Sequence, residues 1–174
     1  MKIQIIGYSG SGKSTLAKKL GDLYGIPVIH LDNLHFFGNW QERPDAEMNA
    51  LLETFLNEHE SWVIDGNYSR IAPRRFEDSD MTIFLNFERA RCFLSALRRY
   101  RTWRGKTRDS CHCPEKFDHA FRHWLLWGSR TKKRRAQHAI NLSKTNGRKL
   151  IFKNRKQVHR FLEDIEQQLQ AKET

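Results

Sequence analysis

Apolar positions fall into two alternating rhythms along this chain. Short unbroken runs recur at residues 2–6 (KIQII), 27–31 (PVIHL), 62–65 (WVID), 81–87 (MTIFLNF) and 149–153 (KLIFK). Each has the length and β-branched content of a strand buried on both faces. Between them the apolar residues are spaced for helices: Leu16, Leu20, Leu23 and Tyr24; Met48, Leu51, Leu52, Phe55 and Leu56; Phe93, Leu97 and Tyr100; and Val158, Phe161, Leu162, Ile165 and Leu169. Gly25 and Pro27 stop the first helix, and Asn154 with Gln157 resembles a capping box for the last. Phe117, Phe121, Trp124, Leu125 and Gly128 predict a helix that runs on into residues 130–135. The stretch FFGNWQERP reads as a loop, and residues 104–116 as an exposed excursion without apolar period. Strands alternating with helices predict an α/β fold, a parallel sheet flanked by helices on both faces.

The first strand runs directly into GYSGSGKS, residues 7–14. This satisfies G-x-x-x-x-G-K-[ST] in full, between a strand and a helix as the motif requires. The loop comprising Gly7, Ser9, Gly10, Ser11 and Gly12, continuing into Lys13, Ser14 and Thr15, is expected to wrap a phosphate chain with inward-pointing amides. Lys13 then reaches the β- and γ-phosphates and the Ser14 hydroxyl ligates Mg²⁺. No guanine-reading N-K-x-D sequence is present, so ATP is the expected nucleotide.

Further candidates lie where strands end, the edge at which open α/β sheets bind ligands. Asp65 closes the third strand and can hold the magnesium hydration shell with Ser14. Gly66 and Asn67 follow it. Asp32 closes the second strand; it suits a general base if the acceptor is a hydroxyl, or a sugar- or water-binding group if the acceptor is a phosphate. Arg43, Arg70, Arg74 and Arg75 flank these strands as candidate anion clamps, and His35, Phe36, Phe37 and Trp40 as candidate walls of an acceptor pocket.

Charge sharpens this picture. The net charge is +11, but residues 89–160 hold 22 Lys and Arg against 3 Asp and Glu, a local excess of +19 that leaves −8 elsewhere. Such a segment must meet something anionic or remain solvated. Arginines on a closing lid stabilise the charge of a phosphoryl group in transfer; Arg104 and Arg108 are the preferred candidates among Arg98, Arg99, Arg101, Arg104 and Arg108. The run KKRR at 132–135 offers an alternative use, contact between residues 130–135 and nucleic acid phosphates, although no base-reading motif accompanies it. The spacing Cys111-His112-Cys113 is tighter than that of structural zinc sites and argues against a metal there. Three cysteines without a framework, no apolar run of membrane length and no leader-type cleavage site together predict a cytoplasmic protein.

The phosphate loop, HLDNLHF, WVIDGNYSR, TIFLNFERARCF and RTRDSCHCPEKFD occur in one order across nearly the whole chain. Together they resemble the bacterial DNA topology modulation protein family, which is similar to adenylate kinases. The resemblance implies a three-layer P-loop fold over residues 1–174, with a five-stranded parallel sheet in the order 2-3-1-4-5. It implies an acceptor-binding segment at about 33–60 and a small lid at about 101–118. It also implies ATP bound by Gly10, Gly12, Lys13, Ser14 and Thr15, Mg²⁺ served by Asp65, the acceptor held by Arg43 and Arg70, and adenine near Asn154 and Arg155. D-G-N-Y-S-R replaces the D-G-x-P-R of adenylate kinases, and HLDN stands in place of T-G-D-x-x-R. The acceptor is therefore open between a monophosphate and a hydroxyl, and the family name leaves a role as a nucleic-acid-associated ATPase as the alternative to a small-molecule or nucleotide kinase.

Overall fold

The computed structural model describes residues 1–38, 40–107 and 109–173, with side chains through residue 171. Five parallel strands form the main sheet: β1 (Lys2–Gly7), β2 (Val28–His30), β5 (Trp62–Asp65), β6 (Met81–Leu85) and β7 (Arg148–Phe152). Their spatial order is β2-β5-β1-β6-β7, which is 2-3-1-4-5 when the five are counted along the chain. Two further strands, β3 (Phe36–Phe37) and β4 (Gln41–Glu42), pair as a separate antiparallel hairpin. That hairpin lies in the stretch expected to be a loop.

β1 is central because IQII has no face to give to water; Ile3, Ile5 and Ile6 are fully buried. Alternate residues of β5 show the layering. Val63 packs with Leu16, Ala17 and Leu20 of α1 (Lys13–Tyr24) and with Leu162 and Ile165 of α8 (Arg155–Glu173). Trp62 and Ile64 pack with Met48, Leu52 and Leu56 of α3 (Asp45–Glu58). Neighbouring strand residues point to opposite faces, so the sheet is covered on both. Leu31 of α2 (Leu31–His35) joins the second cluster.

The one polar residue within IQII, Gln4, is buried and fully engaged. Its Nε2 donates to the carbonyls of Ile5, Ile64 and Gly66, and its Oε1 accepts from Arg75 Nε at 2.8 Å. Arg75 sits in α4 (Arg74–Glu77) and also donates to the carbonyls of Ile71, Ala72 and Tyr68. This arginine ties the loop after β5 to the central strand, and is not an anion clamp.

Two expectations change in the second half. The helix from 117 does not run on. α5 (Arg89–Trp103) is followed by α6 (His119–Leu126), a 3₁₀ turn at Gly128–Arg130, and a separate α7 (Lys132–Ser143). Thr131 causes the restart, its side chain accepting from Arg134 N at 3.3 Å as a cap. The excursion at 104–116 is exposed only in part. Cys111, Cys113 and Glu115 are buried, because the segment docks on the 33–40 region. Asn33 Nδ2 donates to Asp109 O at 2.6 Å, and Asn33 Oδ1 accepts from His112 N at 3.1 Å. Trp40 Nε1 donates to Pro114 O at 2.9 Å and Cys113 Sγ to Gly38 O at 3.1 Å. Among the described residues no helix is long and apolar enough to cross a membrane.

Candidate active site

The loop between β1 and α1 has the conformation its glycines predict. Gly10 takes φ +79°, and a Cβ there would lie 2.2 Å from Cys92 O, so the loop presses on the first turn of α5. Asn67, which also lines the cavity that opens from the loop, completes the loop's frame. Its Nδ2 donates to Gly7 O at 2.8 Å and its Oδ1 accepts from Gly7 N at 2.9 Å. This reciprocal pair holds the last residue of β1 to the chain just beyond the end of β5. Lys13 Nζ lies 3.4 Å from Tyr8 O, folded over its own loop, and Ser11 Oγ is buried without a partner.

Asp65 ends β5 beside this loop and is buried. His30, its register partner on β2, approaches Asp65 Oδ2 at 3.0 Å through Nδ1. Burial alone would raise the carboxyl's pKa; the His30 hydrogen bond, the Lys13 charge and the nearby Ser14 hydroxyl outweigh it and hold the group below the ordinary carboxylate range. Asp65 Oδ1 is buried and lacks a well-formed hydrogen bond. An ionised carboxylate with one orphaned oxygen, next to a serine hydroxyl, is the donor set a hard divalent cation takes. The residues present therefore fit Mg²⁺.

A cavity of about 600 Å³ opens from the loop. Tyr8, Ser9 and Lys13 form one side; Asp32, His35, Phe36 and Trp40 another; Gly66, Asn67, Tyr68, Ser69, Arg70 and Ile71 the floor beyond β5. Tyr68 OH donates to Asp32 Oδ1 at 2.8 Å. Burial, then the Asp32 charge, push the Tyr68 pKa far up, so the phenol stays protonated. His35 meets Phe36 edge-on at 4.4 Å and Tyr68 at a tilt at 4.8 Å between centroids. Arg70 reaches the cavity rim and pairs with Asp45 at 2.9 Å.

Other sequence candidates lie elsewhere. Arg74 is outside the cavity, engaged by Glu53, Asn57 and Asp78. Arg43 pairs with Glu47 and donates to Leu34 O at 2.7 Å, bracing the hairpin from outside the lining. Arg104 caps the end of α5, exposed, 6.0 Å over the Tyr100 ring, and does not line the cavity. Arg108 lies outside the described residues. Thr15 is exposed in the first turn of α1. Asn154 caps α8 by accepting from Gln157 N at 3.0 Å, and Arg155 donates to Ser95 Oγ on α5 at 2.8 Å.

Besides Arg70, the arginines that face the cavity are Arg99, paired with the buried Glu115, and Arg134, 5.6 Å over the Trp124 ring. Trp124 and Phe121 of α6 and Gln137, His138 and Asn141 of α7 complete the wall. Arg130 donates to Phe87 O at 2.6 Å and lies 3.7 Å over Tyr8. Of the KKRR run, only Arg134 lines this cavity. Sequence reasoning missed His30, Tyr68, Arg134, His138 and Asn141. The i, i+4, i+7 spacing of the last three was the available signal.

Solved structures resemble this chain over almost its whole length. Deoxyadenosine kinase from M. mycoides, in the structure with the products dCMP and a flexible dCDP bound, is 13% identical over 98% of this chain and 100% of that one, at a TM-score of 0.52. The same kinase with bound dCTP gives 0.50 at the same identity and coverage. An uncharacterized protein from Eubacterium ventriosum is 16% identical over 96% of this chain and 99% of that one, with a TM-score of 0.52. No family model and no curated protein matches the chain, so the topology-modulation resemblance rests on its motifs alone. What these identities carry is the fold, that of P-loop kinases.

Proposed function

We propose that the chain is an ATP-dependent phosphotransferase that passes the γ-phosphoryl group of Mg-ATP to a hydroxyl on a ring-bearing small molecule such as a nucleoside. One observation carries this reading: Lys13 of the phosphate loop and the Asp32–Tyr68 pair line the same cavity. Its volume lies in the range of small-ligand sites. The loop amides and Lys13 hold the triphosphate, and the segment near Asn154 and Arg155 receives the adenine. Ser14 and Asp65 would hold Mg²⁺, which when bound neutralises phosphate charge and polarises the transferred group.

The acceptor ring lies among His35, Phe36, Trp40 and Tyr68, in the 33–60 segment. Asp32 takes the hydroxyl proton, and the Tyr68 hydroxyl fixes the carboxylate's orientation. Arg99 and Arg134 supply positive charge at the mouth. The 109–116 segment, bonded to Asn33 and Trp40, excludes water from the reaction. The kinase named for the structural neighbours agrees with a nucleoside acceptor.

The test is ATP consumption by the purified protein across nucleosides, nucleoside monophosphates and small polyols, with product identified by mass. Phosphorylation of a ring-bearing alcohol is the expected result. Slow hydrolysis unchanged by every acceptor overturns it, and stimulation by DNA alone would favour the nucleic-acid-associated ATPase instead. That alternative has one fewer free charge than the sequence suggests, because Arg130 lies over Tyr8 and donates to Phe87 O.

A further inference from the structure

Helix α7 turns a polar stripe into the cavity, of which the proposed transfer so far uses only Arg134. Arg134, His138 and Asn141 lie at i, i+4 and i+7, one face of the helix, and all three line the space that Lys13 enters. Gln137 Nε2 donates to Asn141 Oδ1 at 3.0 Å, so the acceptor end of Asn141 is engaged and its Nδ2 is left as a free donor. Asn141 is only 1% exposed, and Nδ2 has no partner. His138 Nδ1 is likewise buried without a partner, its ring clamped between Phe84 at 4.9 Å and Tyr8 at 5.2 Å.

Two buried polar atoms without a partner among the described residues, both on side chains that line this cavity, are explained by a ligand that supplies their hydrogen bonds when it seats against that wall. Its chemistry follows from the neighbours. Lys13 and Arg134 are near enough to His138 to disfavour its protonation, and burial disfavours it further, leaving a neutral ring at pH 7 that can carry its proton on Nδ1. The acids that line the cavity, Asp32, Glu42 and Asp45, all come from the 32–45 segment and none from α7. A surface of donors flanked by two cations matches oxygens that carry negative charge and no proton.

Resting on the phosphotransferase reading, we infer that His138 and Asn141, with Arg134, contact the oxygens of the phosphoryl group as it passes from ATP to the acceptor. In that step the bond from the γ-phosphorus to the β–γ bridging oxygen breaks and a bond to the acceptor oxygen forms. The acceptor proton goes to Asp32, and α7 neither gains nor loses an atom. Its donors strengthen as charge spreads over the equatorial oxygens.

The experiment measures binding of inorganic tripolyphosphate by calorimetry, separately from turnover, in the full chain. Asn141→Asp keeps shape and volume but replaces the free donor with a negative acceptor; affinity falls by roughly thirtyfold or more. Asn141→Leu removes the donor without adding charge and lowers affinity by about tenfold, and His138→Gln by several-fold. In turnover the same variants raise KM for ATP in parallel with the lost tripolyphosphate affinity and lower kcat as well. Melting curves confirm that at least one variant at each position is folded. Affinities within about twofold of wild type in folded variants overturn the inference, as does a wild-type protein that binds no tripolyphosphate. Failure of the phosphotransferase reading looks different: tripolyphosphate binds and α7 variants weaken it, but no acceptor is phosphorylated.

Discussion

His30 Nδ1 and Asp65 Oδ2 meet at 3.0 Å across adjacent parallel strands, leaving the other oxygen of Asp65 without a good partner in the protein. The contact aims the carboxylate. Asp65→Asn is expected to abolish the difference in ATP affinity measured with and without magnesium. His30→Ala, which frees the carboxylate to rotate, lowers magnesium-dependent affinity by roughly tenfold, the usual scale for a group supporting a metal ligand. Calorimetry with ATP plus magnesium against ATP plus chelator reads both. Unchanged magnesium dependence in Asp65→Asn would remove that residue from the site.

Gly10 and Gly12 both have positive φ, at +79° and +93°, yet differ in what surrounds them. A methyl at Gly10 strikes Cys92 O, whereas nothing lies within 4 Å at Gly12. Gly10→Ala is expected to cost about 3 kcal/mol and to abolish nucleotide binding, and Gly12→Ala about 1 kcal/mol. Denaturant unfolding of the two variants checks the order.

Arg75 is fully buried, and burial lowers its pKa to about 9. Replacing it with Met leaves Gln4 Oε1 and the Ile71 and Tyr68 carbonyls without their donor. A loss of about 4 kcal/mol is expected in urea unfolding. Acceptor KM should also rise, because Tyr68 loses its anchor to β1.

His138 predicts a pH dependence of stability. Burial, then the charges of Lys13, Arg134 and Arg130, lower its pKa to about 4 from an ordinary 6.5. The unfolded chain therefore binds the extra proton first, and stability falls as pH drops from about 6.5 to 4, by on the order of 3 kcal/mol at the lower end. His138→Phe should flatten the melting temperature across that window. An equal slope in variant and wild type would show that other groups control it.

Asn33 holds the 109–116 segment through both ends of its amide. Asn33→Ala should speed tryptic cleavage after Lys106 and Lys116 several-fold without lowering the global unfolding midpoint by more than about 1 kcal/mol. It should also shift the fluorescence of Trp40, whose indole donates to Pro114 O.

The main sheet and the phosphate loop were legible because they are written locally. Five apolar runs and one glycine-rich motif need no knowledge of distant contacts, and the observed strands match the expected ones within two residues at each end. The position of Asp65 at the end of β5 was legible because strand ends mark the ligand edge, whereas Asp32, expected to close β2, lies one step inside α2. The lid was not. Cys111 and Cys113 look solvent-facing beside Arg108, Asp109 and Lys116, and become buried only by docking on Asn33, Gly38 and Trp40, more than seventy positions away. Arginine roles were equally hidden. A guanidinium has the same signature whether it reaches a ligand, as the site reading has it for Arg134, braces a hairpin like Arg43, or stitches a core like Arg75. The α6–α7 break turned on one capping side chain, Thr131, within a continuous apolar and basic pattern.

Tyr8, the first residue after Gly7, has the Arg130 guanidinium across its face and the His138 ring against its edge. Any swing of α7 would have to peel both from the aromatic ring and pull Arg130 off the Phe87 carbonyl. The 3₁₀ turn and the start of α7 are thereby pinned to the residue that follows the first glycine of the phosphate loop, so the wall these helices give the cavity is braced against the loop itself.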